Sequence, residues 1–220
     1  MHSPTILVLA THNKGKTDEI KSLLAGFPVE IRDLNQFGPI PPIVEDGATF
    51  DENAYKKAGM TARHLGLPAL ADDSGLLVEA LKGAPGVLSA RYAGPDATDQ
   101  QRCRKLLQEL GETEQRQACF ECVISIAVPG GPALTYEGRC HGRITRQPNG
   151  SNGFGYDPIF FYPPLNKTFA ELSLAQKNQV SHRGKALQEL CSEFDKVLIW
   201  IKQHMAPGDP VGGMGGRYAR

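Results

Sequence analysis

The sequence contains no apolar run long enough to cross a bilayer. Its longest early one, Ile6-Leu-Val-Leu-Ala10, falls far short of the roughly 20 residues a spanning helix needs, and no cationic segment stands before it as a secretory leader requires. Charge of one sign is lacking as well. There are 24 basic and 24 acidic side chains; residues 1–110 hold 12 and 14 of them, residues 111–220 hold 12 and 10. That balance argues against a protein that wraps nucleic acid, because non-specific phosphate binding depends on a basic excess, and any anion site must be local. Cysteines are few and odd in number, five in all, without the spacing of a disulfide framework, as suits reduced thiols. The one C-x-x-C, Cys119 to Cys122, lies in the alternating run Ala118–Val128. Strand residues three apart face opposite sides, so neither metal nor redox use is expected there. The expected setting is cytoplasmic, with no membrane and no nucleic-acid partner.

What is present is an ordinary globular composition, 40% hydrophobic and 22% charged over 220 residues. Such a chain buries roughly 70% of its unfolded surface and needs no disulfide or structural metal. Ile6–Ala10 reads as a fully buried strand. The polar loop Thr11–Lys16 follows, then a helix over Thr17–Leu24 with Ile20, Leu23 and Leu24 on one stripe. Thr49 and Glu52 form a capping-box pattern for a helix to about His64. Ala69–Ala71 gives a short strand ending in the turn formers Asp72-Asp73-Ser74-Gly75. Thr98 and Gln101 cap another helix, with Cys103, Leu106, Leu107 and Leu110 as its stripe. Residues 117–128 and 133–145 read as two strands of a hairpin, and one last long helix begins near Lys185. Glycine and proline dominate 207–220, where a disordered tail is expected after a single domain over 1–206. The mixture favours an α/β or mixed α+β sheet protein.

Four groups of residues have the chemistry for a site. At Thr11, His12, Asn13, Lys14, Gly15 and Lys16, a helix N-terminus with its unpaired N–H groups, a glycine and two lysines suit a phosphate; a plain turn with solvated lysines is the competing reading. Ala10–Thr17 also matches a loose P-loop with alanine at the first glycine, which would put Lys16 on the β/γ-phosphates and Thr17 on magnesium in an NTPase or kinase. Adjacent Asp72 and Asp73 at a strand end would repel unless a cation or a proton intervened, with Glu45 as a possible second ligand. Gly153-Phe-Gly-Tyr-Asp-Pro158 and Ser181-His-Arg-Gly184 offer a ring face for a base and donors for a keto oxygen.

Together the set resembles one family. THNKGK at Thr11–Lys16, Glu52-Asn53-Ala54 with Lys57, ADDSGL at Ala71–Leu76, GAPGVLSARYAG at Gly83–Gly94, GFGYDPIF at Gly153–Phe160 and SHRGKAL at Ser181–Leu187 resemble the Ham1/RdgB family of inosine triphosphate pyrophosphatases, over about Ile6 to Met205. The resemblance implies a two-lobed fold, a long central mixed sheet flanked by helices with a substrate cleft between lobes. It implies a Mg2+-dependent hydrolase that converts ITP, dITP and XTP to the monophosphate and pyrophosphate, cleansing the nucleotide pool, and it implies a homodimer.

By the same resemblance Thr11 to Lys16 bind the triphosphate. Glu45 and Asp73 bind the metal, with Asp73 also accepting the proton of the attacking water. Lys57, Ser74, Phe154, Gly155, Tyr156, Asp157, Lys177, His182 and Arg183 hold the substrate, the last two toward the 6-keto base. The P-loop enzyme over Ala10–Thr17 and a non-catalytic nucleotide-binding module remain the alternatives.

Overall fold

In a computed structural model describing residues 4–205, the buried aliphatic run forms β1 (Thr5–Leu9), which lies parallel to β2 (Val29–Asp33) in the register Thr5↔Val29 to Leu9↔Asp33. On its other side β1 pairs in parallel with β3 (Ala69–Val78) through Val8↔Ala69 and Leu9↔Leu70. The remaining strands are β4 (Gln117–Ala127), β5 (Ala133–Ile144), β6 (Phe160–Tyr162) and β7 (Lys167–Thr168), and the seven-stranded sheet runs β2-β1-β3-β4-β5-β6-β7. β6 is antiparallel to both β5 and β7, so the sheet is mixed. The helices are α1 (Lys14–Leu24), α2 (Phe50–Leu65), α3 (Asp99–Leu110), α4 (Leu174–Val180), α5 (His182–Ser192) and α6 (Phe194–His204). Among the described residues no helix is long and apolar enough to cross a membrane. The expected tail, 207–220, lies outside the described residues.

The chain divides into two compact units. Among the described residues the first takes in 4–73, 123–136 and 187–205, and in it Ala58 and Ala62 of α2 pack on Val8, Ala69 and Ala71. Those small side chains let the helix lie close to the strands, and burial of the shared apolar surface holds it there. The second unit takes in residues 74–122 and 137–186. Its core joins Leu76, Cys103, Leu106, Phe120, Phe160 and Phe169, with the rings of Phe120, Phe160 and Phe169 in mutual contact.

Four local expectations are corrected. α1 begins at Lys14 rather than Thr17, because Asn13 is its N-cap and accepts from Lys16 N–H. β3 does not stop at Ala71 but continues through Asp72-Asp73-Ser74-Gly75 to Val78. The Thr49 box closes on one side only: Thr49 accepts from Glu52 N–H, whereas the Glu52 carboxylate takes the N–H of Ala48. The long C-terminal helix is two helices, broken at Glu193 with φ −118° and ψ 10°. The full box of Thr98 and Gln101 is present as expected.

The first turn of α5 lies directly against β5 at Gly138. A Cβ there would stand 2.1 Å from His182 O and 2.7 Å from Ala186 N, both backbone atoms that cannot swing aside. Gly138→Ala is therefore expected to cost about 2–3 kcal/mol by overpacking and to lower Tm by roughly 5–10 °C. Gly26→Ala, with nothing within 4 Å of the added Cβ, serves as the control, and equal melting of the two variants would refute the close approach.

Candidate active site

In the first unit the site is built around the middle of β3. Side chains of successive strand residues point to opposite faces, so Asp72 and Asp73 meet different partners. Lys16, in the first turn of α1, places Nζ 3.1 Å from Asp72 Oδ2, whose side chain is fully buried. Lys57 of α2 places Nζ 2.9 Å from Asp73 Oδ1 and 3.2 Å from Glu45 Oε2. The loop carrying Glu45 is tied to the same helix, since Gly47 N–H donates to Asn53 Oδ1 at 2.8 Å. Gly47 is needed there, as a Cβ would stand 2.7 Å from that oxygen. Asn53 and Lys57, four residues apart on one helical face, thus set Glu45 and Asp73 together.

Burial pushes the Asp73 carboxyl above its ordinary range, against the pull of Lys57 and Lys16. Burial also works against the Lys57 ammonium, but Asp73, Asp72 and Glu45 outweigh it and hold that group above the usual lysine value. Both directions are consistent, because three carboxylates share two ammonium groups. Among the described residues no group of three His, Cys, Asp or Glu is gathered for a metal. The Glu45 and Asp73 oxygens nevertheless fit a hard divalent cation that completes its shell with water and phosphate oxygens, as Mg2+ usually does.

The other sequence-identified groups of this unit are placed less centrally. Thr11 Oγ1 accepts from Asn13 N–H at 3.1 Å and shapes the turn into α1. His12 and Asn13 are exposed, Gly15 is half-buried, and Lys14 pairs with Asp18 along the helix surface. The P-loop reading lacks its geometry. Gly15 and Lys16 lie inside α1 rather than in a cradle before it, and Thr17 donates its hydroxyl to Asn13 C=O at 3.1 Å.

The second unit carries the planar and aromatic groups. Ser74 follows Asp73 directly on β3, and its hydroxyl accepts from Arg183 Nη2 at 3.2 Å. Arg183 and His182 occupy the first turn of α5, where Ser181 Oγ accepts from Gly184 N–H, and both are buried. The His182 ring stacks on Phe120, 4.5 Å between centroids and 8° between planes. Lys177 of α4 places Nζ 2.5 Å from Asp157 Oδ2 and 4.5 Å from the centre of the Phe154 ring, while Arg183 Cζ lies 5.6 Å from that ring. Such cation–aromatic contacts favour a fixed ring. Phe154 N–H donates to Asp157 Oδ2, and Gly155, with φ +62°, turns the chain toward Tyr156. The Tyr156 hydroxyl donates to Ser89 C=O, and burial pushes that phenol above its ordinary value.

Asp72 is legible in the sequence as the adjacent partner of Asp73, and Lys16 is what pairs with it. Two supporting residues carried no signal of their own. Asn53 stood in a quoted motif without a role. Ser89, whose Oγ accepts from Leu76 N–H at 2.9 Å, connects through the fold alone, and no spacing rule would find it.

The Ham1 family profile matches residues 7–193. A dITP/XTP pyrophosphatase of Syntrophobacter fumaroxidans is 63% identical over 210 residues, covering 96% of this chain and 90% of the relative. One of Desulfotalea psychrophila is 58% identical over 206 residues, covering 94% and 92%. Among solved structures, a HAM1 protein from Coxiella burnetii superposes with TM-score 0.80 at 44% identity, covering 87% of this chain and 99% of that one.

Replacing Lys57 by Met leaves Asp73 and Glu45 without their shared cation. Loss of one member of a buried pair costs about 3 kcal/mol or more, so Tm is expected to fall by several degrees. Added Mg2+ should recover part of the loss, since Glu45 and Asp73 would hold it. Melting unchanged by the substitution, with and without Mg2+, would remove Lys57 from its organising role.

Proposed function

The chain belongs to the Ham1 family, and from that premise we infer that it is a nucleoside-triphosphate pyrophosphohydrolase acting on the non-canonical purine nucleotides ITP, dITP and XTP. The products are the nucleoside monophosphate and pyrophosphate. The observation that carries the mechanism is the cluster on β3, where Lys57 Nζ stands 2.9 Å from Asp73 Oδ1 and Lys16 Nζ 3.1 Å from the neighbouring Asp72 Oδ2.

Cleavage between the α- and β-phosphates needs an oriented water, a base and neutralisation of the charge on the leaving pyrophosphate. Asp73 serves as the base, since a carboxyl raised toward neutrality accepts a proton more readily than an ordinary one. Lys16, with Lys14 and the first-turn N–H groups behind Thr11, His12, Asn13 and Gly15, takes the triphosphate at the N-terminus of α1. Lys57 keeps Asp73 and Glu45 in place and adds positive charge. Glu45 and Asp73 would hold Mg2+, which would supply further charge neutralisation at the phosphates.

The purine is selected by the second group of residues. Phe154 offers its ring to the base, Lys177, Asp157, Gly155 and Tyr156 fix that ring, and Ser74 orients Arg183. His182 and Arg183 donate to the 6-keto oxygen. A 6-amino purine presents donors to those donors, and a site built this way rejects the mismatched base strongly. By the same reading the enzyme acts as a homodimer in the cytoplasm, and sedimentation is expected to give twice the 23.9 kDa of one chain.

Incubation of ITP and of ATP with the protein and Mg2+ is expected to give IMP and pyrophosphate from the first and little from the second. In 18O-labelled water the label should appear in IMP. Diphosphate with orthophosphate would instead indicate γ-phosphate chemistry, and binding without product would indicate a non-catalytic module. Asp73→Asn should abolish turnover with the fold intact. Thr17→Ala should keep activity within about threefold, since its hydroxyl is committed to Asn13 C=O within the helix and a single neutral hydrogen bond of this kind is worth only about 1 kcal/mol.

A further inference from the structure

Gly155 is held at both of its peptide groups by one helix of the second unit. Its N–H donates to Asp99 Oδ2 at 2.6 Å, and its C=O accepts from Cys103 Sγ at 3.3 Å. Asp99 and Cys103 are four residues apart on α3, one turn above the other on the same face. Asp99 is the first residue after the N-cap Thr98, where a carboxylate complements the positive end of the helix dipole. Its other oxygen engages Arg102, which itself donates to Ala90 C=O at 2.9 Å. The carboxylate is therefore oriented before it meets Gly155. Burial, followed by the charges of Asp99 and Asp157, pushes the Cys103 thiol up to about 12, so it stays protonated and remains a donor.

The segment being held is the one that most needs holding. Gly153 and Gly155 have φ of +75° and +62°, the left-handed region that glycine enters freely. Phe154 stands between these two permissive residues, and the direction of its ring follows whatever fixes its neighbours. On one side Asp157 Oδ2 takes Phe154 N–H at 2.9 Å. On the other, α3 takes Gly155.

We propose that Asp99, assisted by Cys103, is a positioning residue for Phe154, and that this clamp on Gly155 sets the selectivity for 6-keto over 6-amino purines. The inference rests on the pyrophosphatase reading above. The ring face defines the plane of the base, and the plane decides whether the 6-substituent meets the His182 and Arg183 donors. A ring free to tilt lets a 6-amino purine avoid the mismatch, while the phosphates and Asp73 are untouched. The loss belongs in selectivity and KM, not in kcat.

The test uses the full chain with Asp99→Ala, Asp99→Asn and Cys103→Ala, assayed on ITP and ATP with Mg2+. Amide exchange at Gly155 and the Phe154 ring resonances are followed without nucleotide. Losing a hydrogen bond to a charged acceptor is commonly worth a factor of about ten or more, so Asp99→Ala should lower the ITP/ATP ratio of kcat/KM about tenfold through KM. Asp99→Asn keeps an acceptor oxygen and should restore most of the ratio. Cys103→Ala should give a smaller fall. In Asp99→Ala the Gly155 amide should exchange faster and the Phe154 resonances should shift. Equal loss of kcat on both nucleotides at constant ratio, with Asn no better than Ala, would mean a merely structural role and overturn the proposal. A parent enzyme that does not prefer ITP would overturn the pyrophosphatase reading instead. The clamp would then stand or fall on the nucleotide-free spectra, and Phe154 resonances unmoved by Asp99→Ala would overturn it.

Discussion

Two adjacent carboxylates in the middle of a buried strand are the constraint around which the first unit is arranged. The side chains of Asp72 and Asp73 are 0% and 10% exposed, and a desolvated carboxylate without a partner costs several kcal/mol. Because consecutive strand residues face opposite ways, the direct ion pairs fall to different lysines, Lys16 to Asp72 and Lys57 to Asp73. α1 must begin early enough to put Lys16 in its first turn, and α2 must run about two turns before it reaches Asp73 with Lys57. Glu45 joins only because Gly47 allows its loop to close on Asn53. A buried ion cluster of this kind is weak evidence for stability, since apolar residues of the same volume commonly do as well. Under the proposed function, the gain from three carboxylates and two lysines lies in phosphate chemistry rather than in stability.

The second unit solves a different problem with different groups. Under the proposed function a flat, neutral base would be recognised by direction rather than by net charge, which ring faces and forked donors suit better than hard oxygen ligands. Lys177 and Arg183 flank Phe154, and Lys177 is neutralised in place by Asp157. The lysine thereby contributes to the ring more than it would to a free anion. His182, stacked flat on Phe120, has its plane fixed by a ring that itself belongs to the apolar core. Selectivity then depends on packing, which is stiff, rather than on solvated side chains, which are not.

How much of this was legible depended on whether each decision was local. The box of Thr98 and Gln101 was readable because both partners lie within four residues. The start of α1 was misplaced because Gly15 and Lys16 look like loop residues, whereas the cap at Asn13 overrides their modest preference. The break at Glu193 was hidden because the apolar period of Leu187, Leu190, Phe194 and Val197 runs across it. The six motifs pointed to the family, and two of them contain Asn53 and Ser89, but no motif says that Asn53 holds Gly47, that Ser89 meets Leu76 and Tyr156, or that Asp99 meets Gly155.

The most informative misreading is β3. Asp, Asp, Ser and Gly each favour a turn, and four in a row read as the end of a strand; the fold extends them instead. Conflict between local preference and tertiary structure is uncommon in well-folded sequences and tends to mark a functional place. The gain here is geometric. A turn would leave the two carboxylates free to approach each other and to move with the loop. A strand sets them about 3.3 Å apart along its axis, on opposite faces, each facing its own lysine. Groups that must meet a phosphorus atom within a fraction of an ångström are better carried on such an element than on a loop, and the local propensity given up at Asp72–Gly75 is small beside that requirement.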